Sequence, residues 1–138
     1  MKTITDKWYL LPIILITLML IGKKAIGQVT GQVAVQVDTL KVKALLEAYG
    51  VKHVDIVVRQ SVVETGWYKC TKCSLDKNNL FGFFYKGKYL EFETWQESVK
   101  YYYWWQSKLY KGGDYHVFLK RIGYAEDPNY INKLKMVY

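Results

Sequence analysis

The chain has 138 residues and a net charge of +8, with 51% hydrophobic and 17% aromatic residues. That length suits one compact domain with a modest core. The basic excess suits a polyanionic neighbour such as a bacterial wall polymer or a membrane surface, and its spread along a chain that reads as exported argues against nucleic acid.

The first segment reads as an address. Lys2 and Lys7 precede the apolar run LLPIILITLMLIG, residues 10–22. A spanning helix needs roughly 20 apolar residues, so this run is short for a bilayer. It has the length of a secretory h-region, and AIG before Gln28 places small residues where a signal peptidase cuts. A cleaved signal over residues 1–27 is expected, rather than a retained anchor, although Lys23 and Lys24 follow the run. The absence of a Cys after the run argues against a lipoprotein. The remaining 111 residues carry 16 basic and 11 acidic side chains, net +5. Residues 28–37, QVTGQVAVQV, alternate with period two and read as a flexible or extended lead-in to a domain over 38–138.

Asp38 is placed to cap a helix through Tyr49, with Gly50 as its stop. Val42, Leu45, Leu46 and Tyr49 form its stripe. A second helix is expected from about His53 to Thr65. Its Val residues are apolar on two sides, the mark of a buried central helix. Gly66 ends it. Residues 67–80 form a polar loop with Cys70 and Cys73, and LFGFFYKGKYLEF then reads as a short hairpin about Lys-Gly-Lys. Thr94 and Glu97 make a capping box for an aromatic helix, in which YYYWW (101–105) reads as core packing. Asp114 caps a fourth helix to about Ile122, ended by Gly123. Asp127-Pro128 reads as N-cap and first residue of a fifth, reaching the C-terminus. The fold class is a mostly helical α+β single domain with one short hairpin.

Two cysteines in an exported chain favour a loop disulfide or inert thiols. A redox dithiol wants a βαβ context that is absent, and a zinc site wants about four ligands, which His53 and His116 do not help to supply. No metal and no cofactor are expected. Glu64 is the more informative residue. It ends a nearly all-Val helix, where the negative helix terminus and apolar neighbours, with Trp67 close by, push a carboxyl pKa upward. A carboxylic acid that keeps its proton near neutral pH can donate it to a leaving oxygen; the alternative is a solvent-facing Glu at a helix end.

The blocks RQSVVETGWY, NNLFGF, FETWQESVKYY and RIGYAEDPNYINKL together resemble the bacterial glucosaminidase domain, glycoside hydrolase family 73, from about Val42 to the C-terminus. The resemblance implies a lysozyme-like fold with a glycan groove. It also implies a peptidoglycan hydrolase, an endo-β-N-acetylglucosaminidase that cuts after N-acetylglucosamine at its bond to N-acetylmuramic acid. Glu64 becomes the general acid and Tyr124 a functional tyrosine. Trp67, Phe81 and Tyr130, with Asn78 and Asn79, become substrate-binding candidates; the asparagines could equally hold the loop in a turn. Retaining glycosidases place two carboxyls about 5–5.5 Å apart and inverting ones about 6.5–9.5 Å. The second acid would be Glu91 or Glu93, two apart on an expected strand. Failing both, the substrate's acetamido group or a water held by Tyr124 would serve. The Cys pair is not a feature of the resemblance. The rival readings are a lytic transglycosylase on a related fold and a non-catalytic wall-binding module. The expected setting is a monomer on peptidoglycan strands in the periplasm, cell envelope or extracellular space, free of the membrane once the signal is cut.

Overall fold

Asp38 opens the first helix, α1 (Thr39–Tyr49), by accepting a hydrogen bond from the Lys41 N–H at 2.9 Å. Gly50, at φ 74°, closes it in the left-handed conformation that glycine adopts without a Cβ penalty. A computed structural model describes residues 37–138. The expected signal and the lead-in up to residue 36 lie outside the described residues, and Val37 packs against the core.

Helix α2 (Val54–Glu64) is the buried centre expected from its two-sided apolarity: Val57, Val58, Gln60, Ser61 and Val62 are all buried. Helix α1 packs against α2 and against α3 (Trp95–Leu109), and α5 (Tyr130–Met136) packs on α2. Helix α4 (Tyr115–Arg121) is capped by Asp114, as expected. A buried polar chain runs through the core. Tyr102 donates to Gln60 at 2.6 Å, its oxygen lies 2.7 Å from the Tyr115 hydroxyl, and Gln106 donates to that hydroxyl at 2.8 Å. These buried bonds fix Tyr102, Gln60, Tyr115 and Gln106 relative to one another in the aromatic core, while the Gln60 Nε2 is left without a partner.

The hairpin is small. Strand β1 (Phe84–Tyr85) pairs with β2 (Lys88–Tyr89), Phe84 opposite Tyr89 and Tyr85 opposite Lys88. Lys86 (φ 49°) and Gly87 (φ 80°) form the connecting turn; positive φ at both positions is the type I′ geometry whose twist suits a hairpin.

Three expectations need correction. The fifth helix starts at Tyr130, not at Asp127-Pro128, because Asp127 caps only a lead-in turn, accepting from the Asn129 N–H at 2.8 Å. The 67–80 loop is as expected, with a 3-10 turn at Ser74–Lys77 inside it, and Cys70 and Cys73 are joined by a disulfide, one of the two outcomes expected for them. Thr94 accepts from the Glu97 N–H, but the Glu97 carboxylate reaches back to Glu93 rather than to Thr94. Glu91 and Glu93 stand on no strand. Strand β2 ends at Tyr89, and the Phe92 N–H turns away to the Lys77 carbonyl at 3.0 Å.

Candidate active site

Thr65 decides where α2 ends. Its hydroxyl donates back to the Ser61 carbonyl at 2.6 Å and accepts from the Tyr68 N–H at 3.0 Å. Gly66, Trp67 and Tyr68 then all take positive φ, a tight left-handed turn that costs the two aromatic residues about 1–2 kcal/mol each. Glu64 is left as the last residue of the helix, pointing into a groove of about 830 Å³. One wall is the Gly82–Phe84 segment with Tyr89, another the end of α3 with Trp105 and Leu109. The opposite wall is the loop 122–127 with Tyr130 and Lys133.

The carboxyl of Glu64 lies flush against Gly82. A Cβ built on that glycine would sit 2.5 Å from Oε2 and 3.2 Å from Cδ, and its φ of +65° also favours glycine. Burial pushes the Glu64 pKa above its ordinary value of 4.5, and the nearby Tyr130 hydroxyl offsets part of that rise. Tyr130 is buried, with its hydroxyl beside Glu64 and Gln60 but short of a well-formed hydrogen bond to either. Burial, then the neighbouring Glu64, drive the Tyr130 phenol far above its usual range, so it stays neutral. Tyr124 is likewise held neutral, chiefly by burial. Its ring stacks on Tyr130 at 5.8 Å, and its hydroxyl donates to the Phe81 carbonyl at 2.6 Å. That bond ties the 122–127 loop to the residue preceding Gly82.

Of the residues singled out from sequence, the groove therefore gathers Glu64, Phe81, Tyr124 and Tyr130. Trp67 is 49% exposed, packs on Tyr138 and does not line the groove. Asn79 is fully buried, with its amide spent on the Phe83 and Leu90 carbonyls and its oxygen on the Phe83 N–H. Asn78 donates to the Phe92 and Glu93 carbonyls. Both asparagines thus hold the hairpin base and line no part of the groove. Glu91 is exposed and paired with Lys77 at 3.0 Å, Glu93 is exposed, and neither lines the groove. The acids that share it with Glu64 are Glu126, exposed, and Asp127, paired with Lys133 at 2.5 Å. Core packing of residues 101–105 holds for Tyr102 alone in full: Tyr103 and Trp104 are exposed, and Trp105 faces the groove. Sequence reasoning passed over Gly82, Phe84 and Tyr89 although NNLFGF and the aromatic run contain them. No group of three His, Cys, Asp or Glu suited to a metal occurs among the described residues.

A mostly helical α+β domain of lysozyme-like form, with one desolvated carboxylic acid opening on an aromatic-walled trough, defines a glycosidase-type protein. The family model for mannosyl-glycoprotein endo-beta-N-acetylglucosaminidase matches residues 40–138, and the chain belongs to this glucosaminidase family of glycoside hydrolases. Neither a curated protein nor a solved structure gives a match. The family carries a glycosidase activity on peptidoglycan and a setting in the cell envelope or outside the cell. No helix among the described residues is long and apolar enough to cross a membrane.

Proposed function

We propose that the chain is an endo-β-N-acetylglucosaminidase that cleaves the β-1,4 bond from N-acetylglucosamine to N-acetylmuramic acid, with Glu64 as general acid. The observation that carries this reading is the half-buried Glu64 carboxyl set against Gly82 in the groove. A carboxyl that holds its proton above the ordinary range can deliver it to the bridging oxygen as the bond breaks. Tyr124 has its hydroxyl proton committed to the Phe81 carbonyl, so what it offers the groove is an oxygen acceptor. We assign it the water that attacks the anomeric carbon. Glu91 and Glu93, outside the groove, take no part. A signal over residues 1–27 would export the chain, and its net +5 beyond that point suits anionic wall polymers.

Mass spectrometry of digested sacculi tests the assignment. The expected products carry N-acetylglucosamine at the reducing end. Anhydro-muramic ends would mark a transglycosylase instead, and intact sacculi that merely retain the protein would mark a binding module.

A further inference from the structure

The hairpin wall of the groove carries two rings with no role so far. Phe84 and Tyr89 face each other across the β1–β2 register, edge to face at 5.2 Å, and both line the groove. Yet Phe84 is 61% and Tyr89 43% exposed. An isolated two-stranded hairpin is marginal in water, so leaving two large rings unburied on it needs a reason. Alternation puts their sequence neighbour Tyr85 on the other face. Tyr85 is also 61% exposed, has the Lys86 ammonium 5.3 Å from its ring centre, and does not line the groove.

Position along the chain indicates which part of a ligand these rings meet. Gly82 touches Glu64. Phe84 lies two residues on, at most about 7 Å by the rise of an extended chain, which is of the order of one sugar ring. The weakly apolar face of a pyranose is the surface that a flat ring covers, while the sugar's hydroxyls stay directed to water and to polar walls.

Resting on the glycosidase reading above, we propose that the Phe84 ring, set edge to face with Tyr89, forms a stacking platform for the pyranose next to the one whose linkage Glu64 protonates. The platform holds the strand through a sugar that does not react, and it thereby aligns the one that does.

Binding in a Glu64→Gln background tests this without relying on turnover. Soluble glycan strands freed of peptide are titrated into the Glu64→Gln chain and into the same chain carrying a second substitution. Phe84→Leu keeps apolar bulk and removes the flat ring. It should weaken binding roughly tenfold, as should Tyr89→Ala, while Phe84→Trp should bind as the parent does. Tyr85→Ala, equally exposed on the opposite face, should change nothing. Melting curves identify any variant that has lost its fold. Parent-like binding by folded Phe84→Leu, or equal weakening by Tyr85→Ala, would overturn the platform. Should the chain carrying native Glu64 fail to cut sacculi, the function reading falls, and these titrations still decide the platform.

Discussion

Replacing Gly82 by Ala should separate activity from stability. The new Cβ would stand 2.5 Å from Glu64 Oε2, about 1 Å inside an ordinary heavy-atom contact. The atom it strikes is the far end of a flexible side chain, so the overlap is relieved by rotation of the carboxyl. The fold bears mainly the strain of an L-residue at φ +65°, about 1–2 kcal/mol. In a domain of this size that lowers Tm by about 5–15 °C. The acid is displaced by about 1 Å, and misplacement on that scale costs on the order of 100-fold in rate. Clearing of purified sacculi, followed by turbidity beside a melting curve, reads both effects. Glu64→Asp in the same background removes the overlapping atom and should leave the stability loss nearly unchanged, because that loss sits in the backbone of residue 82. A Gly82→Ala chain that clears sacculi at nearly the native rate would refute the contact between this glycine and the acid.

Other outcomes follow from the same geometry. Between 4.5 and its raised folded value, Glu64 binds a proton more fully in the native than in the unfolded chain, so its ionisation destabilises the fold as pH rises through that window. Glu64→Gln should therefore melt above the wild type at neutral pH, and the gap should close as pH falls to 4.5. Tyr124→Phe removes the bond to Phe81 and should cost about 1 kcal/mol of stability, by urea titration, together with a marked fall in kcat. Glu91→Gln, Glu93→Gln and Glu126→Gln should keep kcat within a few-fold in the turbidity assay, since the first two lie outside the groove and the third is exposed on its rim.

Local chemistry made much of the fold legible. Asp38, Thr94 and Asp114 each cap the helix their sequence position suggests, because a cap needs only a side chain and the next three residues. Asp127 misled for the same reason: it makes its short-range bond to Asn129, and the helix proper waits for Tyr130. At the site, Glu64 was legible from the apolar helix that ends with it. The asparagines were not, since whether Asn79 meets a sugar or the Phe83 backbone depends on how the hairpin folds back. Nor could Phe84 and Tyr85 be told apart from sequence. They are adjacent and equally exposed, and only the register of a two-residue turn decides which ring faces the groove.

The proposed activity turns on one carboxyl, Glu64, that keeps its proton in the trough and gives it to the glycosidic oxygen. Carbon-13 NMR of the Glu64 side chain, titrated in the folded protein, measures that proton directly. The expected midpoint lies above 4.5 and coincides with the alkaline limb of kcat/KM on sacculi. A midpoint at or below that value, or a Glu64→Gln protein that still digests sacculi, would contradict it.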